Sequence, residues 1–151
     1  MLKNNKKGFT IIELLIVIAI IGLLATISIV SLNGARLKGR DAARLGNIKQ
    51  MQTALEMYYN DQGRYPVSAT AIVLGSATAK KLCSTAAAGF VATCVAPAIT
   101  YMGNVQPNPT PNGTAFSYTG TASTYAITFT LEGAVGGYAL GLHTATQDGI
   151  N

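Results

Sequence analysis

From Leu14 to Ala35 the chain runs for 22 residues without a charge. Wound as an α-helix at 1.5 Å per residue, that stretch is about 33 Å long, enough to cross a hydrocarbon core of roughly 30 Å. Isoleucine, valine and leucine fall on every side of such a helix, so no polar face argues for a helix lying along a membrane surface. The run reads as a transmembrane helix. What remains of the 151 residues suffices for one small domain. A removable secretory signal is the competing reading, because Lys3, Lys6 and Lys7 precede the run. The run is longer than the roughly 7–15-residue apolar core of such signals, and Leu32-Asn33-Gly34-Ala35 is a poor cleavage site, so a retained anchor is preferred.

Charge is as unevenly placed as hydrophobicity. Residues 1–64 hold nine Lys/Arg against four Asp/Glu, whereas residues 65–151 hold only Lys80, Lys81, Glu132 and Asp148, so the entire net charge of +5 belongs to the first part. Charged residues make up 11% of the chain, less than half the usual share of about 25%, and 49% are hydrophobic. A disordered chain is excluded by that composition.

Just ahead of the apolar run stands Lys7-Gly8-Phe9-Thr10-Ile11-Ile12-Glu13-Leu14. Glu13 is the anomaly in it. A carboxylate at the edge of an apolar helix is costly and is a functional candidate by default, although an acid in a first helical turn also favours the dipole. The string resembles the prepilin signal of type IV pilins and type II secretion pseudopilins. The resemblance implies that a basic leader, here bearing Lys3, Lys6 and Lys7, is removed after Gly8 by a prepilin peptidase that also N-methylates Phe9. It implies that Glu13 guides assembly into a homopolymeric filament. Phe9 and Glu13 are four apart, neighbours at helical spacing, so the freed amine is a partner for the carboxylate in the same or an adjacent subunit. Further implied partners are an inner-membrane assembly platform, minor pilins or pseudopilins, and the lipid bilayer. No cofactor is implied.

Arg36, Lys38, Arg40 and Arg44 follow the run closely, so the positive-inside rule does not choose an orientation. The resemblance implies a cytoplasmic leader and an extracytoplasmic remainder, ending in a filament in the periplasm or at the cell surface. Arg36, Arg40 and Arg44 form an i, i+4 stripe suited to phosphates, lipid headgroups or intersubunit acids, and Asp41 partly neutralises it. Interfacial or intersubunit pairing is favoured, since no aromatic platform accompanies the stripe.

Beyond Gly34 the apolar pattern becomes one-sided. Leu45, Ile48, Met51, Leu55 and Tyr58 make a helical stripe, and Asn60-Asp61-Gln62-Gly63 followed by Pro66 is a stop signal. One helix from about Thr10 to Gln62 is expected. Gly22, Gly34, Gly39 and Gly46 weaken it, each by about 1 kcal/mol relative to Ala. Many type IV pilins carry a proline where this chain has Val30, which leaves the site of any local melting open. The stretch from Arg40 to Pro66, ending Tyr58-Tyr59-Asn60-Asp61-Gln62-Gly63-Arg64-Tyr65-Pro66, is similar to the major pseudopilins of type II secretion.

The remaining residues are rich in Ala, Thr, Gly and Ser. A short helix is expected near Ser76–Leu82, and Gln106–Gly113 with its alternate prolines reads as a surface loop. Phe116 and Tyr118, then Tyr125, Ile127, Phe129 and Leu131, then Tyr138, Leu140 and Leu142, read as apolar faces of three antiparallel strands covered by the helical stripe. Cys83 and Cys94 are the only cysteines; outside the cytoplasm they read as one disulfide, and with His143 alone they cannot make a zinc site. Calcium held by a C-terminal acidic loop, as in major pseudopilins, is not carried over, because Asp148 is the only acid there and hard cations take several oxygen ligands.

The expected fold is therefore α+β and pilin-like, a long helix on a small antiparallel sheet. Residues 1–8 are the leader, 9–35 the transmembrane and polymerisation helix, 36–63 its amphipathic continuation and 64–151 the extracytoplasmic head. No catalytic constellation is present in the sequence. The expected role is a filament subunit, a secretion pseudopilin ahead of a true pilin, with a non-polymerising anchored binding domain as the reading from a different class.

Overall fold

The structure is a computed structural model that describes residues 8–84 and 88–151. The chain divides into two compact units, one ending at Arg36 and the other spanning Leu37–Asn151. A single helix, α1, is assigned to Ile11–Gln62. In the first unit every described residue is exposed, including isoleucines and leucines along the whole apolar run.

In the second unit the helix ends as the sequence dictates. Gly63 adopts φ +67° and donates its N–H to the Tyr59 carbonyl at 2.8 Å, closing the last turn with a left-handed residue. The expected stripe is the buried face: Leu45, Ile48, Met51, Leu55 and Tyr58 are all in the core, while Lys49, Thr53 and Glu56 face water. Each such apolar side chain contributes on the order of 2 kcal/mol by leaving water.

Opposite this stripe lies a five-stranded antiparallel sheet of β1 (Ser68–Val73), β5 (Ser117–Gly120), β6 (Tyr125–Leu131), β7 (Gly141–Thr146) and β8 (Gly149–Ile150), in the order β1-β5-β6-β7-β8. A second sheet of three antiparallel strands, β2 (Lys81–Cys83), β3 (Phe90–Val91) and β4 (Thr100–Met102), has the order β3-β2-β4. The α+β, pilin-like layout is the one expected. Strand β6 alternates as read: Tyr125, Ile127, Phe129 and Leu131 are buried, with Ala126, Thr128 and Thr130 between them less so. Phe116 and Tyr118 are fully buried beside them. The Tyr118 hydroxyl donates to the Pro66 carbonyl at 2.7 Å, tying β5 to the segment that leaves the helix.

Two expectations need correction. The stretch near Ser76–Leu82 is not helical; it makes a turn and then enters β2. Gly75 stands at φ +73°, and a Cβ on it would fall 2.5 Å from the Pro107 backbone, so the chain is committed to a tight turn against the proline loop. Seven residues are also too few to nucleate a helix against that constraint.

The third apolar face is out of phase. Residues directly opposite in an antiparallel pair share a face, and β6 and β7 pair Phe129 with His143 and Ile127 with Ala145. Ala145 is therefore the fully buried residue of β7, whereas Leu142 lies opposite Thr130 and is exposed, as is Leu140.

Candidate functional site

The helix begins two residues beyond the Gly8–Phe9 peptide bond. Gly8 and Phe9 lie outside α1, and Phe9 is 92% exposed. Thr10 caps the helix: its Oγ1 accepts the Glu13 N–H at 3.3 Å, and the Glu13 Oε2 accepts both the Thr10 N–H and the Thr10 hydroxyl at 2.8 Å. This is a capping box, in which residue and third successor satisfy each other's free N–H groups. The Thr-x-x-Glu spacing announces it in the sequence, beside the charge and dipole roles that Glu13 also has there. The leader lysines Lys3, Lys6 and Lys7 lie outside the described residues.

Within the apolar run two hydroxyls turn back on the backbone. The Thr26 hydroxyl donates to the Leu23 carbonyl at 2.7 Å and the Ser28 hydroxyl to the Leu24 carbonyl at 2.8 Å. Such bonds satisfy a hydroxyl inside lipid without a partner helix. The helix is long and apolar enough to cross a membrane. It is assigned without a break at Val30 or at Gly22, Gly34, Gly39 and Gly46, and nothing lies within 4 Å of a Cβ built on any of these glycines.

The arginine stripe is reassigned by the structure. Arg44 is fully buried, and each guanidinium nitrogen faces an oxygen. Nε donates to Asn108 Oδ1 at 2.7 Å; Nη1 lies 2.5 Å from Asp41 Oδ1 and 2.6 Å from Glu132 Oε1; Nη2 donates to the carbonyls of Pro109, at 2.8 Å, and Asn112. Arg40 grips Glu132 in a two-point fork of 2.9 and 2.6 Å. Asp41, also buried, accepts the backbone N–H groups of Glu132 and Gly133 at 3.1 and 2.8 Å. Two cations and two carboxylates thus neutralise one another, so neither Arg40 nor Arg44 is free for phosphates or an intersubunit acid. The fork from Arg40 holds Glu132 down to a pKa of about 2, assisted by Asn112 and Arg44 and opposed by burial. Sequence spacing revealed the Asp41–Arg44 step but not Glu132, which lies 91 residues from Asp41.

Cys83 and Cys94 form a disulfide with Cα atoms 5.9 Å apart, joining β2 to the chain beyond β3. Both ring nitrogens of His143 face backbone carbonyls, of Ala139 at 2.8 Å and Asn151 at 3.1 Å, and Asp148 accepts only from its neighbours' side of the turn, through Gln147 Nε2 at 3.0 Å. Among the described residues no three of His, Cys, Asp and Glu cluster as a metal site.

Comparison with known proteins bears on the amino terminus first. Residues 3–29 match the family described as the prokaryotic N-terminal methylation motif. The chain is 35% identical over 68 residues to type II secretion system core protein G of Aeromonas hydrophila, covering 45% of this chain and 48% of that protein. It is 40% identical over 70 residues to the type IV wide pilus major component PilA4 of Thermus thermophilus, covering 46% and 53% respectively. It is 36% identical over 61 residues to the type IV major pilin protein PilA of Myxococcus xanthus, covering 40% and 28%. The match thus spans about half, or less, of the length of each of these relatives. No solved structure matches the chain. The chain carries a prepilin-type amino terminus and resembles both type II secretion core proteins and type IV pilins.

Proposed function

We propose that this protein is a structural subunit of a type IV-like filament, a major pseudopilin of a type II secretion system, and not an enzyme. The supporting observation is the juxtaposition at the amino terminus: an exposed Gly8–Phe9 bond, then the Thr10–Glu13 cap, then an apolar run, residues 14–35, that no other described residue of the chain buries. On this reading a prepilin peptidase removes residues 1–8 and methylates Phe9. The precursor sits in the membrane through residues 9–35 with its leader in the cytoplasm, and residues 36–63 carry the helix into the extracytoplasmic head. Polymerisation exchanges lipid contacts for helix contacts, driven by van der Waals packing. Glu13 pairs with the Phe9 amine and sets subunit register; methylation leaves that amine positive. The assembly platform and minor pilins or pseudopilins act on the same helix.

Intact mass of the protein from cells that hold the peptidase tests this reading. A chain starting at Phe9 with one added methyl supports it; a chain starting at an unmethylated Met1 overturns it. A true type IV pilin is the second reading, favoured by the Cys83–Cys94 disulfide and by the similarity to two pilus components. Deletion separates the two: loss of exported enzymes marks the secretion role, and loss of surface filaments marks the pilus. An unprocessed chain that forms no filament would instead fit an anchored binding domain.

A further inference from the structure

We propose that the loop between β6 and β7 is a lipid-docking element, which lays this edge of the head on an anionic bilayer surface while the subunit is unassembled. The inference rests on the reading that the apolar run spans a membrane. It starts from the two leucines that the phase of β7 leaves outside: Leu140 is 72% and Leu142 71% exposed.

Their position follows from contacts within the head alone. A Cβ on Gly133 would fall 2.6 Å from Leu37 Cδ2, and the Asp41 carboxylate holds the N–H groups of Glu132 and Gly133, so the loop is fastened to the first residues of the head helix. The other end of β7 is fastened further along, where Gln52 Nε2 donates to the Thr146 carbonyl at 2.8 Å. Strand β7 therefore begins at the Leu37 end of the helix and runs away from it. Leu37 lies two residues beyond Ala35, the last of the uncharged run, so even a fully extended link keeps it within about 7 Å of the end of the span. The loop is thus fastened to the residues of the head that follow the span directly in the chain.

Chemistry selects the lipid. Lys38, the residue after Leu37, is exposed and has no acidic partner within ion-pair distance among the described residues. A basic residue at the membrane boundary attracts anionic headgroups, and leucines beside it enter the headgroup–acyl boundary. Glu132, the acid of the same loop, is occupied by Arg40 and Arg44 and leaves little field to oppose that attraction.

The full chain, reconstituted in vesicles of phosphatidylcholine with or without phosphatidylglycerol, provides the test. A nitroxide is attached at Leu142→Cys or, as reference, at Ser123→Cys in the exposed β5–β6 turn; Cys83 and Cys94 are already paired. The label at 142 is expected to collide several-fold more with oxygen than with a water-soluble nickel chelate, most strongly in the anionic vesicles, and Lys38→Glu should reduce that ratio. The label at 123 should show the reverse preference. Equal chelate exposure at 142 and 123 overturns the proposal. So does protection at 142 that vanishes as the protein is diluted in lipid, since the occupant is then a second copy. If the chain does not float with the vesicles at all, the membrane reading fails along with the inference.

Discussion

The guanidinium of Arg44 and the carboxylate of Asp41 meet at 2.5 Å with neither side chain reaching solvent, one helical turn apart on α1. Removing one member of such a pair leaves an uncompensated buried charge, which costs about 3–5 kcal/mol. Arg44→Ala is expected to destabilise the head by that order in urea denaturation. The Asp41→Ala/Arg44→Ala double variant should lose clearly less than the sum of the two single losses, because the second removal relieves the stranded charge.

Acid should weaken the head through Glu132. Its folded-state pKa of about 2 lies below the ordinary value of 4.5. A carboxylate depressed in this way contributes stability that is complete above its unfolded pKa and is lost as the pH falls through the folded one. Stability measured by denaturation at successive pH values should thus decline between about 4.5 and 2. Glu132→Gln should flatten that segment, while lowering stability at neutral pH because Arg40 and Arg44 lose their partner.

The disulfide closes a short loop, the two cysteines being 11 apart in sequence. In the chain-entropy model a loop of this size is worth about 3 kcal/mol, mostly by restricting the unfolded chain. Reduction, or replacement of both cysteines by serine, should lower the unfolding free energy by about that amount. The secondary structure seen by circular dichroism should persist, because β2 is held independently by β3 and β4.

At the amino terminus, Thr10→Ala removes the acceptor of the Glu13 N–H. Loss of such a cap costs about 1 kcal/mol, so amide exchange at Glu13 in detergent micelles should speed up about fivefold. Thr10→Ser should restore the native rate. Glu13→Gln should also keep the cap, since a glutamine serves at that position of a capping box. That variant separates the local role of Glu13 from any role of its charge in assembly.

Much of this molecule is written locally in its sequence. The helix end at Gly63 and the buried stripe from Leu45 to Tyr58 follow from spacing alone, and β6 declares its buried face by strict alternation. What escaped was decided by distant partners. Leu140 and Leu142 looked like core residues because they alternate, yet pairing with Ile127 put Ala145 inside instead. Arg40 and Arg44 looked like a binding surface because Glu132 is remote in sequence. Ser76–Leu82 looked helical because Pro107, against which Gly75 turns, is 32 residues beyond Gly75. The amino-terminal signal, whose meaning lies in consecutive residues, was legible as a prepilin-type motif.

The register of β7 works as a binary setting. Successive residues of a strand point to opposite faces, so a slip by one residue exchanges every inward side chain for an outward one. Slipping β7 by one residue against β6 would turn Leu142 and Thr144 inward and push His143 and Ala145 out. The register of one strand pair therefore decides whether this sheet wears its leucines or hides them.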